Sequence, residues 1–166
     1  KSLRLAGNAE ALMSEAAEMH SNSPDAAYHL AQLHFLMGSI HAIHEQDHGM
    51  AMKWYDKARP QLTGPHPNCL VDNRGSLGDQ LVSIGISLWE TDRRNQAVAV
   101  TKKGLAMIRE AVEAGSFQQT ALAVPYQNLA TMYHSLGDES AAEKMARKAA
   151  KYQQRSAASS SSEARR

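Results

Sequence analysis

The chain of 166 residues is 43% hydrophobic and 21% charged, an ordinary balance for a soluble domain with a buried core. A net charge of +1 excludes an overall field that would recruit nucleic acid or an anionic membrane, and no apolar run approaches the ~20 residues of a membrane span. A single cysteine, Cys69, excludes an internal disulfide and a four-cysteine zinc site, and only 5% aromatic residues argue against a β-sandwich.

Leu5, Ala9, Leu12, Ala16 and Met19 fall at spacings of four and three, which predicts one helix within residues 1–22. Ser23-Pro24-Asp25 is a start signal: Ser as N-cap, Pro in the first turn, Asp at the positive helix end. The helix it opens is expected to run to about Glu45, followed by a turn at Asp47-His48-Gly49. Met50 to Arg59 reads as a shorter helix closed by Pro60, which disfavours α geometry in the residue before it. Residues 61–75, rich in Gly, Pro and Asn, read as the main loop.

The next helix is expected from about Leu77 to Glu90, then a turn at Thr91-Asp92 and a long helix to about Ala114. Gly115 reads as its stop and Ser116 as the N-cap of the following helix. That helix ends at Leu136, with Pro125 either inside it or marking its true start. A last helix covers about Glu139 to Arg155, and residues 156–166 read as a flexible, low-complexity tail. Charge is uneven: residues 144–166 hold seven Lys/Arg and one acid, a balance of +6, leaving −5 for the rest. No strand alternation is evident.

Three segments align on one another: 34–58, 81–104 and 126–149. Large apolar residues match at Met37, Ile84 and Leu129, and small ones follow at Gly38, Gly85 and Ala130. His41, Leu88 and Tyr133 come three residues later. After the turn, small residues recur at Ala51, Ala97 and Ala142, and again at Ala58, Gly104 and Ala149. A hairpin of this kind cannot bury its apolar face alone, so copies stack.

The pattern resembles the tetratricopeptide repeat (TPR), most closely in "NLATMYHSLGDESAAEKMARKA" and in the second helix "GMAMKWYDKA". The middle copy departs from it, with Thr101 and Gly104 replacing an aromatic and Ala, and Asp92-Arg93 replacing Gly-Asp. The period departs too. It is 47 and then 45 residues here, against about 34 in the family, and is similar to the longer repeats of kinesin light chains. The resemblance implies an all-α, right-handed solenoid of about three hairpins spanning 23–155, with units near 24–60, 76–115 and 117–155. Residues 1–22 would then be a preceding helix or a cap.

It also implies a concave groove lined by the first helix of each hairpin: Phe35, Ser39 and Ala42, then Val82, Ile86 and Trp89, then Gln127, Thr131 and His134. The Lys and Asn with which some members clamp acidic chaperone tails are absent at Phe35/Ser39, Val82/Ile86 and Gln127/Thr131. The apolar strip instead favours an apolar or amphipathic segment, with Trp89 as anchor.

Residues 44–48, HEQDH, satisfy the literal H-E-x-x-H spacing of a zinc hydrolase through His44, Glu45 and His48. His41 lies on the same face, and Asp72, Glu90 or His20 are the available third ligands. That chemistry needs both histidines on one continuous helix, and the repeat register puts a turn between them. His41 takes the repeat's buried aromatic place. Cys69 lies near His66 with nothing to orient the imidazole, and no G-x-S-x-G, P-loop or G-x-G-x-x-G is present. The basic stretch 144–155 reads as the wet face of a terminal helix rather than a nucleic-acid surface.

The sequence therefore predicts a non-catalytic protein–protein interaction module, a part of a larger cytoplasmic protein, with a protein or peptide partner. It predicts no cofactor, no resident metal, no specific nucleic acid and no membrane, and it is compatible with a homodimer. The alternative is a metal-binding or metal-dependent hydrolytic domain using His44, Glu45 and His48. A third reading is a regulatory appendage acting through dimerisation.

Overall fold

Three turns of one construction organise the chain. Each places one residue in the left-handed region: Gln46 at φ 54°, Asp92 at φ 61° and Gly137 at φ 79°. The next residue then donates its N–H back to the helix just ended: Asp47 to His41 O (2.9 Å), Arg93 to Leu88 O (2.9 Å) and Asp138 to Tyr133 O (3.0 Å). This reversal satisfies carbonyls that the helix end would leave unpaired. The alignment read from the sequence thus holds at the level of backbone hydrogen bonds.

The computed structural model describes residues 24–64 and 73–163, together with positions 8, 11, 12, 14 and 15, and the side chains of 155–163 are outside the description. Most of the N-terminal helix expected in 1–22, and Cys69, His66, Asp72 and His20, lie outside the described residues. Among the described residues are six α-helices: α1 Pro24–Ile43, α2 His48–Thr63, α3 Arg74–Glu90, α4 Arg94–Glu113, α5 Ala123–Ser135 and α6 Glu139–Glu163, with a 3-10 turn at Gln119–Leu122 before α5. They contain no strand. The chain divides into two units, 1–71 and 72–166.

In the first unit α1 and α2 form a hairpin. Tyr28, Ala31, His34, Met37 and His41 of α1 are buried, as are Ala51, Met52, Tyr55, Ala58 and Leu62 of α2. Gly38 is small because Tyr55 lies against it: a Cβ there would sit 2.5 Å from the Tyr55 ring. Asp47 caps α2, its carboxylate accepting from the Met50 N–H at 2.8 Å.

The helix does not stop at Pro60, contrary to the sequence expectation. Pro60 lies inside α2, which continues to Thr63. Pro removes one hydrogen bond and crowds the preceding turn. Against that, Leu62 is wholly buried, worth about 1.5–3 kcal/mol. The Gly64 N–H also returns to Pro60 O at 3.0 Å, and the Thr63 hydroxyl to Arg59 O at 2.8 Å.

In the second unit α3 and α4 cross with their backbones in contact. A Cβ at Gly104 would lie 2.4 Å from the Gly78 carbonyl oxygen, and one at Gly78 2.6 Å from that of Gly104. Leu77, Leu81, Ile84 and Leu88 of α3 and Ala97, Thr101 and Ile108 of α4 are almost wholly buried. Ser116 does not cap the next helix. Its N–H and hydroxyl both return to Ala111 O (2.9 and 3.1 Å), so it closes α4 behind Gly115 at φ 75°. Pro125 sits in the first turn of α5, which the 3-10 turn leads into.

α5 and α6 form the last hairpin around Leu129, Ala130, Ala142 and Ala149, all buried. Asp138 accepts from the Ala141 N–H at 3.0 Å and caps α6. This helix runs to Glu163, past the expected limit near Arg155. No Gly or Pro interrupts 156–163, and Ser is only mildly unfavourable in a helix.

Candidate functional site

The second unit presents a cleft of about 200 Å³ between the end of α3 and the middle of α5, lined by Ile86, Trp89, Glu90, Asn128, Thr131 and Met132. Its wall is apolar. Ile86, 39% exposed, is the exposed large hydrophobic residue of α3. Met132 is buried and forms the floor, its sulfur accepting from the buried Thr101 hydroxyl at 3.9 Å.

Trp89 is held in place from behind. The Arg94 guanidinium lies 4.3 Å from the centre of its ring. Arg94 is in turn fixed by the Asp92 carboxylate at 3.0 Å. The turn that reverses the chain thus places Asp92 and Arg94 beside the Trp89 ring.

Asn128 supplies the polar element. Among the described residues its Nδ2 is buried and has no hydrogen-bond partner. A buried donor left unmade costs about 1–3 kcal/mol. Glu90 is the one ionisable residue among the described residues of the lining.

A second, wider depression of about 440 Å³ lies along the α5–α6 hairpin, lined by Gln127, Ala130, Thr131, His134, Glu139, Ala142, Glu143 and Ala146. Its polar rim is internally paired: His134 Nδ1 lies 2.9 Å from Glu139, and Arg147 holds Glu143 at 3.0 Å. A third hollow, about 670 Å³, follows the turn of Gly115–Ala121 and has no ionisable side chain in its lining.

The residues expected from sequence divide accordingly. Ile86, Trp89 and Thr131 share the cleft, while Gln127, Thr131 and His134 share the wider depression. Val82 lines neither. It is 2% exposed, because its side chain fills the space left by Gly104.

In the first unit Phe35 is half-buried and stacks on Tyr55 at 5.5 Å, and the Ser39 hydroxyl is engaged by Phe35 O (3.0 Å) and the Tyr55 hydroxyl (3.2 Å). Ala42 is half-buried. The exposed apolar residues of α1 are instead Leu36, at 55%, and Ile43, at 72%. Asn128 and Leu36 were missed by sequence reasoning. They occupy the same register position in their hairpins, one residue beyond Gln127 and Phe35, so the alignment that found the neighbours could have found them.

The H-E-x-x-H residues do not share a helix. His44 and Glu45 lie in the turn after α1, and His48 is the first residue of α2. Glu45 points back to His41, with Oε2 2.6 Å from Nδ1. Among the described residues no group of three or more His, Cys, Asp or Glu is placed to hold a metal ion.

With this geometry in view, residues 123–155 match the tetratricopeptide repeat family. The last hairpin is a tetratricopeptide repeat. Its Leu129-Ala130 pair, Tyr133, the Gly137-Asp138 turn, Ala142 and Ala149 are the packing elements of that TPR, and the other two hairpins reproduce its turn. A TPR points to a protein–protein interaction module. No curated protein matches the chain. No helix among the described residues is long and apolar enough to cross a membrane.

Proposed function

We propose that the chain is a non-catalytic interaction module whose second unit holds an apolar or amphipathic peptide segment in the cleft of Ile86, Trp89, Asn128, Thr131 and Met132. The observation that carries this reading is the Asn128 amide, buried among the described residues without a hydrogen-bond partner beside Ile86, Trp89 and Met132. An apolar side chain of the partner packs on Ile86 and Trp89, and a main-chain carbonyl accepts from Asn128 Nδ2. Trp89 is the anchor, a large ring with few torsions to lose on binding and already in contact with Arg94. Gln127 and His134 flank the path along α5.

The test is selection of peptides from a displayed library on the intact chain, followed by calorimetry with Trp89→Ala and Asn128→Leu. The expected peptides share an apolar anchor, lose roughly 30-fold in affinity on Trp89→Ala and about tenfold on Asn128→Leu. They are indifferent to removal of a C-terminal carboxylate. Selected peptides that bind both variants as tightly as the parent would place recognition elsewhere.

A further inference from the structure

We propose that the flank of α6 beside Tyr126 is a docking surface for an acidic helix of a partner protein, separate from the Trp89 cleft. Residues 144–155 contain five Lys/Arg and no acid. Lys144, Lys148 and Lys151 lie at i, i+4 and i+7, which places them in one stripe about 10.5 Å long. Lys144 and Lys151 are exposed and Lys148 is half-buried.

Among the described residues no carboxylate pairs with these three lysines. Of the two acids upstream on α6, Glu139 is held by His134 at 2.9 Å and Glu143 by Arg147 at 3.0 Å. From α4, Arg109 bears on Tyr126 and is itself paired with Glu113 at 3.5 Å. Three like charges at helical spacing repel one another, and a polyanion laid along them removes that repulsion.

Two of the cations are held in position. Tyr126 and Tyr152 stack with ring centres 5.8 Å apart and planes 1° from parallel. The Lys148 ammonium lies 5.2 Å from the Tyr126 ring centre, and that of Lys151 lies 6.0 Å from the Tyr152 ring centre. Long lysine side chains normally lose much rotamer freedom when they bind. The tyrosine pair has already restricted these two.

The geometry favours an acidic helix over nucleic acid. Bases stack on open aromatic faces, whereas these rings are turned on each other and on the lysines. The free cations are ammonium points, and the nearby guanidinium fork of Arg147 is engaged by Glu143. The four-then-three spacing is the one at which Glu side chains recur along one face of a partner helix.

The experiment uses two fluorescein-labelled helical peptides of identical composition. One carries its Glu residues along one face at four-three spacing, and the other has them distributed around the helix. Binding to the intact chain is followed by anisotropy. The one-face peptide is expected to bind roughly tenfold tighter than the distributed one, and to weaken as salt rises from about 50 to about 200 mM. Lys144→Gln/Lys148→Gln/Lys151→Gln abolishes the preference while circular dichroism and Tm stay unchanged. Trp89→Ala leaves it intact, so failure here is distinguishable from failure of the cleft.

Equal binding of the two peptides, or binding unaffected by the triple variant, overturns the proposal. So does a random single-stranded oligonucleotide or a phosphatidylserine vesicle that binds more tightly than the one-face peptide at equal salt. A salt-sensitive dimer in sedimentation equilibrium that the triple variant dissolves assigns the ridge to a second copy and overturns it as well.

Discussion

Asp92 occupies in the second turn the left-handed position that Gly137 occupies in the third, at φ 61° against 79°. A residue with a Cβ is strained there by about 1–2 kcal/mol, somewhat less for Asp. Its compensation is an exposed ion pair with Arg94, worth little in water. Asp92→Gly is therefore expected to stabilise the second unit by about 1 kcal/mol, a rise of roughly 2–4 °C in Tm. Because Arg94, which lies over the Trp89 ring, loses its Asp92 partner, the same variant should bind the selected peptides more weakly. Thermal unfolding and calorimetry on one preparation test both, and a variant less stable than the parent would contradict the strain argument.

The crossing of α3 and α4 gives a prediction of opposite sign. A methyl at Gly104 meets the Gly78 carbonyl oxygen at 2.4 Å, and the helices must separate to admit it. Gly104→Ala is expected to cost about 3 kcal/mol or more by overpacking. Gly115→Ala, where a Cβ meets nothing within 4 Å, costs only left-handed strain of about 1–2 kcal/mol. Urea unfolding should rank the two in that order.

The helical hairpins were legible because their packing is written in small residues at fixed spacing: Gly38, Gly85 and Ala130, then Ala51, Ala97 and Ala142. Each turn returns an N–H to the matching register position, over six residues in the first and five in the others, whatever residue takes the left-handed place, so Asp92 and Gln46 did not hide the repeat. Pro60 misled because local propensity was weighed without the burial of Leu62. The cleft was legible only in part. Register fixes which side of a helix a residue lies on to within about a residue, and the difference between Gln127 and Asn128 is one residue. Val82 went inward because its cross-helix neighbour is Gly104, a tertiary fact that the spacing of α3 does not contain. The acid–histidine pairing of Glu45 with His41 likewise depends on a turn that an H-E-x-x-H string cannot express.

The second turn also lacks a side-chain cap that the others have. Asp47 and Asp138 each accept from the N–H three residues on, at 2.8 and 3.0 Å, whereas Arg93 makes no such bond. Asp138→Ala is expected to cost about 1 kcal/mol. Arg93→Asp supplies the missing acceptor and a favourable charge at the start of α4, for a gain of about 0.5–1 kcal/mol. A thermal scan in which Asp138→Ala melts with the parent would remove the basis for both.

Tyr55 links the first hairpin to pH. Its ring is buried between Gly38 and Phe35, and its hydroxyl lies 3.2 Å from that of Ser39. Burial raises its pKa above the ordinary 10.0, and the Ser39 bond offsets this only in part. The folded state thus holds the phenol proton more tightly than the unfolded chain does. The associated stability is intact below pH 10.0 and is lost as pH rises through the higher folded value, because the unfolded chain ionises first. Tyr126, also raised by burial, contributes in the same sense from the second unit. Tyr55→Phe removes the ionisation together with the Ser39 bond. At about pH 8, below phenol ionisation, it should be less stable than the parent by about 0.5–1.5 kcal/mol. That gap should narrow as pH is raised beyond 10.0, since only the parent has the Tyr55 proton to lose. Urea unfolding of the two proteins across this range measures the gap directly; a constant gap would show that Tyr55 titrates alike in both states, and a widening one that folding lowers its pKa.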